Sequence, residues 1–287
     1  MSDDINEREN KLYETFSITM ELERPILNDE VELQNKVVKK NNKKIKKILK
    51  YLPIVLVIAI IGFFIWANNT YEPQAMAHIS LISDENISVS KDEFITFTPT
   101  NMKPTNGFIF YPGAKVNPES YAPICRNIAK KGYKVVIVDA TFNLPILSPN
   151  KAKKVIKENN SIKNWVVGGH SLGGTMAAKF AGNNKELVDG VVLLAAYPMN
   201  DNLKALNTDV ISIWGSKDGV VNFKSLVESK NKLPSHTEFV EIEGANHAQF
   251  GDYGVQKGDN EALINQEEQL KITSKDIINF LDNINNQ

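Results

Sequence analysis

The chain has 287 residues, 42% of them hydrophobic and 23% charged, enough for one large α/β domain or two small ones. Its single cysteine, Cys125, excludes an internal disulfide. The net charge of -1 hides a strong asymmetry near the N-terminus.

Residues 1–35 carry ten acidic side chains against Arg8, Lys11 and Arg24, with no strong periodicity. They read as a largely disordered tail. Residues 36–50 then carry eight lysines and no acid. Residues 51–67, Tyr51 to Ala67, follow at once and are uncharged. As a helix this stretch is about 25 Å long, at the short end for a membrane span. Pro53 falls in the first turn, where a missing N–H costs little. Tyr51 and Trp66 sit at its two ends, as interfacial aromatics do. The lysines on one side predict a single-pass span in the cell membrane, with residues 1–50 cytoplasmic and the rest extracytoplasmic. Lying against anionic headgroups, the lysines need no nucleic acid to explain them. A signal peptide cut near Ala75-Met76-Ala77 and a buried core helix are the competing readings.

After a linker at 68–78, residues 79–287 read as one domain. Ile79 to Val89 and Phe94 to Phe97 are short β-type runs expected at a sheet edge. Strand and helix patterns then alternate. Strands are expected at 108–111, 134–138, 165–169, 190–195, 210–214 and 238–242. Helices are expected at about 119–131, 150–159, 222–231 and 267–283, with another after residue 171. Continuous apolar strands separated by helices describe a mainly parallel sheet covered on both faces, an α/β fold. Ligands bind such sheets beyond the C-terminal strand ends. Cys125, in an apolar helical stretch, reads as a small buried side chain.

The chemistry centres on Gly169-His170-Ser171-Leu172-Gly173. Apolar residues lead in and helix formers follow, so Gly-x-Ser-x-Gly sits on a sharp strand-to-helix turn. Such a turn lifts the Ser171 hydroxyl to a helix N-terminus, where the Leu172 N–H can stabilise an oxyanion. A nucleophilic serine needs a base, and the base needs a carboxylate to orient it. His78 precedes the domain, His170 should point away from its neighbour Ser171, and His236 lies at the wrong end of its strand. His247, after the 238–242 strand, is the expected base. Asp218, directly after the 210–214 strand, is the expected carboxylate. Asp139 precedes Ser171 in the chain, Asp209 opens its strand, and Asp252 follows His247 too closely. The order Ser171, Asp218, His247, with separations of 47 and 29 residues, is the one expected after this elbow.

Four pieces carry a family resemblance: Tyr111-Pro112-Gly113-Ala114, Gly169 to Gly174, Gly215-Ser216-Lys217-Asp218-Gly219 and Asn246-His247-Ala248-Gln249-Phe250-Gly251-Asp252-Tyr253-Gly254. Through them residues ~107–285 resemble the α/β-hydrolase superfamily, most closely its small capless, esterase-like branch related to dienelactone hydrolases. The resemblance implies an oxyanion hole from the backbone amides of Leu172 and Ala114. Dienelactone hydrolases carry cysteine where this chain has Ser171, so their substrate does not transfer. Many hydrolases of this kind insert a cap after the strand equivalent to 190–195. Here only the fourteen residues Ala196–Asp209 are available, too few for one. An open cleft near Tyr197 and Phe250 is expected, with a preference for small or water-soluble esters.

The reading is a membrane-anchored serine hydrolase, carboxylesterase-like, that forms an acyl-enzyme on a small ester-type substrate. A non-catalytic binding or sensing protein and an acyltransferase are the alternatives. No metal cluster, dinucleotide fingerprint or P-loop is visible, so no cofactor, metal or nucleic acid is expected. The oligomeric state is not legible.

Overall fold

A computed structural model describes residues 31–37, 47–206 and 208–285. It divides into two units, residues 1–64 and 65–287. In the first, residues 31–37 are helical. Helix α1, Lys47–Asn68, has mean hydropathy 2.6 and is long and apolar enough to cross a bilayer. Most of the proposed tail, residues 1–30 and 38–46, lies outside the described residues.

The second unit is an eight-stranded mixed sheet with spatial order β1-β2-β4-β3-β5-β6-β7-β8. The strands are β1 Ile87–Lys91, β2 Ile95–Pro99, β3 Asn106–Tyr111, β4 Lys134–Ile137, β5 Asn164–His170, β6 Gly190–Leu194, β7 Asp209–Gly215 and β8 Glu238–Ile242. β1 and β2 form an antiparallel edge, and β2 also meets β4 antiparallel. From β4 across to β8 every pairing is parallel. The helices are α2 Ala75–Ser80, α3 Ala122–Ala129, α4 Lys151–Glu158, α5 Leu172–Asn183, α6 Phe223–Ser229 and α7 Gln266–Asn285.

Strand periodicity splits the core into two layers. On one face Phe108 and Phe110 of β3 pack with Ile124, Cys125 and Ile128 of α3 and with Ile277 and Phe280 of α7. On the other, Ile109 and Tyr111 of the same strand pack with Ala152 and Val155 of α4 and with Met176, Ala177 and Phe180 of α5. Phe108, Ile109 and Phe110 are wholly buried, each stabilising the fold by about 1.5–3 kcal/mol relative to exposure. Cys125 is buried, and burial pushes its thiol pKa well up, as expected of a packing residue. Residues 195–208 between β6 and β7 form no helix or strand among the described residues, so no cap is present there.

Two expectations change. Ile79 to Val89 is not one β-type run: α2 takes residues 75–80, and β1 begins at Ile87. Arg126 of α3 donates to the carbonyls of Ser80 and Ile82 and pairs with Asp84, whose Oδ1 accepts from the amides of Asn86 and Ile87. Those groups are therefore spent on a turn and cannot join a sheet. Nor are residues 68–78 a loose connection. The Tyr71 N–H donates to Lys115 O at 2.8 Å, the Asn117 N–H donates to Tyr71 O at 2.9 Å, and Ala77 is buried with its N–H on Asp252 Oδ2. A chain cut after Ala77 would lose these bonds.

Candidate active site

β5 delivers the elbow. Its last residue, His170, is followed by Ser171 with φ 53° and ψ -125°, a region L-residues avoid. The turn is possible only because its neighbours lack side chains. A Cβ at Gly169 would overlap the Tyr111 carbonyl, and one at Gly173 the carbonyls of Tyr111 and Pro112. The Ser171 N–H donates to Leu194 O at 2.9 Å, which locks the turn to β6. Leu172 is the first residue of α5, so its N–H has no partner within the helix.

Two neighbouring strands supply the partners. Asp218 stands in the loop after β7 and His247 in the loop after β8. His247 Nδ1 and Asp218 Oδ2 are 2.7 Å apart, with both side chains almost wholly buried. Asp218 Oδ1 accepts from the amides of Val220 and Val221 at 2.8 and 2.7 Å. The carboxylate is thus held by backbone on one oxygen and presents the other to the imidazole. Nδ1 carries the proton in that arrangement, which leaves the Nε2 lone pair available. Nε2 is buried and hydrogen-bonded to nothing in the protein among the described residues.

The residues passed over in the sequence reading stand elsewhere. Asp139 pairs with Lys151 at 2.5 Å, and Asp209 lies 3.4 Å from His236 at the start of β7. Asp252 accepts from Ala77.

Ser171 and His247 share a cleft of about 370 Å³ with Leu172, Tyr197, Ile146, Met199 and Val220. Tyr197 is part of this lining. Phe250, expected beside it, is not: it is fully buried, its ring centroid 5.6 Å from that of His170. The short helical turn Ala248–Phe250 after His247 carries the ring inward, where it supports His170 from the core. Ala114, partly exposed, is absent from the cleft lining. Its N–H and that of Leu172 find no acceptor among the described residues. Gly113 beside it donates instead to Tyr121 Oη at 3.0 Å.

Tyr121 and His170 are the site residues that the sequence reading missed. Tyr121 Oη accepts from Gly113 and lies 2.9 Å from His170 Nδ1, so its own proton points to that nitrogen. The His170 ring then sits with its centroid 4.4 Å from that of His247. Burial first, and then the nearby His247 charge, push the His170 pKa well below its ordinary value; the His247 carbonyl pulls weakly the other way. His170 is therefore a neutral spacer between the Pro112–Ala114 loop and the His247 loop. The only trace of this in the sequence was a histidine inside the Gly-x-Ser-x-Gly motif.

With the geometry in place, comparison with known proteins is direct. Residues 107–271 match the model of the alpha/beta hydrolase family, more than half of the chain. The chain belongs to that family. Solved structures share the fold at low identity. A predicted CIB-like hydrolase from Thermoplasma acidophilum aligns at TM-score 0.51 and 18% identity, covering 67% of this chain and 99% of that one. Est1E from Butyrivibrio proteoclasticus, solved with ferulic acid bound, aligns at 0.54 and 12%, covering 72% and 99%. A soluble variant of monoglyceride lipase from Saccharomyces cerevisiae, in complex with a substrate analogue, aligns at 0.52 and 10%, covering 71% and 96%. Among curated proteins, none matches the sequence significantly.

Proposed function

We propose that this alpha/beta hydrolase is a serine carboxylesterase working through Ser171, His247 and Asp218. The observation that carries the reading is the buried 2.7 Å contact of Asp218 with His247, one residue-lined cleft away from a serine on a strained elbow. Holding a carboxylate and an imidazole dry and a serine at φ 53° costs stability, which a purely structural loop has no reason to bear.

In the mechanism, His247 Nε2 takes the Ser171 hydroxyl proton as Oγ bonds to the ester carbonyl carbon. The carbonyl oxygen becomes an oxyanion, held by the amides of Leu172 and Ala114 and by the N-terminus of α5. Asp218 keeps the Nδ1–H tautomer and stabilises the imidazolium. The tetrahedral intermediate collapses, the C–O bond to the alcohol breaks, and the Nε2 proton leaves with the alcohol. Water, deprotonated by the same nitrogen, then releases the acid and restores Ser171. The esterases and lipases among the fold neighbours agree with ester cleavage.

Residues 51–67 within α1 serve as the anchor in this reading, with the N-terminus cytoplasmic and the hydrolase domain outside. External protease on spheroplasts should digest the domain and spare the tail. Protection of the domain reverses the orientation.

A fluorophosphonate tests the enzyme reading without knowledge of the substrate, because it reacts only with a serine activated by its base. Ser171 should be the single labelled residue, Ser171→Ala should abolish labelling, and His247→Ala should nearly do so. Folded wild type that neither labels nor cleaves any ester would make this a non-catalytic binding protein. Ester formation with an added alcohol in preference to hydrolysis would make it an acyltransferase.

A further inference from the structure

The loops that carry Asp218 and His247 run side by side beyond β7 and β8, and they are tied at successive levels. Ahead of the pair, the Lys217 N–H donates to Ala245 O at 2.8 Å. A Cβ at Gly215 would overlap that same carbonyl, so the close approach needs glycine. At the next level Asp218 meets His247. One residue further along each loop, the N–H groups of Gly219 and Ala248 both turn to a single carboxylate, that of Asp259. Its Oδ1 accepts from Gly219 at 2.9 Å and its Oδ2 from Ala248 at 2.8 Å.

Asp259 comes from a third segment, the irregular stretch between Phe250 and α7, and its surroundings fix it. The Asp259 N–H donates to Gln256 O at 3.2 Å, closing a turn in which Gly258 takes φ 90°, a conformation that favours glycine. That turn is held from behind. Tyr253 Oη donates to Gln256 Oε1 at 2.9 Å, and the Lys257 N–H donates to Tyr71 Oη at 3.2 Å. Asp259 Oδ1 also accepts from the Asn260 N–H at 2.9 Å. On the receiving side, a Cβ at Gly219 would fall 2.7 Å from the Asn260 nitrogen and 2.8 Å from the Gly258 carbonyl, so only glycine admits this segment. Ala248 is buried, and its N–H needs an acceptor. Before the base, buried Gln269 of α7 holds Asn246: Oε1 accepts from its N–H at 3.0 Å and Nε2 donates to its carbonyl at 2.8 Å. His247 is thus bracketed by Gln269 on one side and Asp259 on the other.

We propose that Asp259 is a positioning residue of the triad: its carboxylate sets the approach of Asp218 to His247 by holding the residue that follows each. The kinetic consequence rests on the serine-hydrolase reading above; the structural one does not. Asp259 is absent from the cleft lining, so it acts through His247 and not on the substrate. A carboxylate suits the task because both of its oxygens accept and both of its targets donate. An amide has one oxygen. In Asp259→Asn that oxygen stays at the place of Oδ1, where it serves two donors, and the NH₂ faces the Ala248 N–H. The acid loop remains tied and the base loop is released. Asp259→Ala releases both.

The test uses the full chain in detergent, with its four histidines labelled with nitrogen-15. The proton on His247 Nδ1, held against Asp218 at 2.7 Å, should resonate far downfield, and its loss in His247→Gln assigns it. The resonance should move upfield in Asp259→Asn and further in Asp259→Ala, as the contact with Asp218 loosens. Because His247 serves both acylation and deacylation, kcat on p-nitrophenyl acetate should fall about tenfold in the first variant and about a hundredfold in the second. KM should stay within about twofold. A wild-type resonance in folded Asp259→Ala overturns the proposal, and so does a KM that rises while kcat holds. If wild type cleaves no ester and fluorophosphonate leaves Ser171 unlabelled, the hydrolase reading has failed, and the resonance alone decides the role of Asp259.

Discussion

Asp218→Asn removes one charge and almost no volume, so its effect isolates the orientation of His247. The structure fixes which way the new amide sits. Oδ1 accepts two backbone N–H groups, from Val220 and Val221, and only an oxygen can do so. Turning the amide round would press its NH₂ against both donors and strip each of its acceptor, at about 1–3 kcal/mol apiece. The Asn oxygen therefore stays where Oδ1 is now, and its NH₂ replaces Oδ2 at 2.7 Å from His247 Nδ1. Facing a donor, Nδ1 must give up its proton, and the neutral imidazole is held as the Nε2–H tautomer. That tautomer has no lone pair for the Ser171 proton. The expected loss is up to ~10⁴-fold in kcat, about 5.5 kcal/mol of transition-state stabilisation, by analogy with the same substitution in a serine protease. Turnover of a p-nitrophenyl ester and the rate of fluorophosphonate labelling should fall together, with unchanged circular dichroism. A folded Asp218→Asn protein within tenfold of wild type on both measures refutes the argument. The orienting acid would then lie elsewhere, with Asp139 next to test, although Lys151 now holds it.

Ser171→Gly should abolish turnover yet raise stability by about 1 kcal/mol, because glycine tolerates the strained backbone at φ 53°; an unchanged or lower urea midpoint contradicts stored strain. Tyr121→Phe leaves the buried Gly113 N–H and His170 Nδ1 without their partner and should destabilise by about 2–4 kcal/mol. Its kcat should fall more than its KM rises, since the loop it holds carries the proposed oxyanion donor; a change in KM alone sinks that link. His170 predicts acid sensitivity. The unfolded chain takes up its proton near the ordinary value of 6.5, while the folded protein resists it to lower pH. Stability from this group is therefore full above that value and lost as pH falls below it, by up to about 1.4 kcal/mol per pH unit. His170→Gln cannot titrate and should flatten the slope of denaturation midpoint against pH below 6.5; an identical slope rejects the assignment.

The parallel part of the fold was legible because its strands are continuous apolar runs. Phe108 to Tyr111 and Val191 to Leu194 are buried on both faces, and no other local structure suits them as well. The elbow was legible for a different reason. Only glycine survives where a Cβ would meet the Tyr111 and Pro112 carbonyls, so the turn writes itself into the sequence as Gly169 and Gly173. Asp218 and His247 followed from their places after β7 and β8, since strand order and polarity bring those loops to the same end of the sheet. The segment at 79–89 was not legible, because its apolar residues suggested a strand while Arg126, over forty residues away in sequence, had claimed its carbonyls. Nothing local reports such a contact.

Phe250 and His170 show the same limit inside the site. Both were placed by distance along the chain from a proposed catalytic residue: Phe250 near the cleft because it follows His247, and His170 out of play because it adjoins Ser171. What decided each was direction. The turn after His247 points Phe250 into the core, and the elbow that lifts Ser171 outward sends His170 inward to meet it. The two rings then close one layer beneath the cleft, with Tyr121 tying that layer to the Gly113 amide. A strained turn exposes one side chain by burying the next. On this account the residue before the serine governs how the base and the oxyanion loop are held relative to each other. Its identity as a histidine that accepts from Tyr121 is then a feature of the proposed catalytic apparatus and not a filler in the motif.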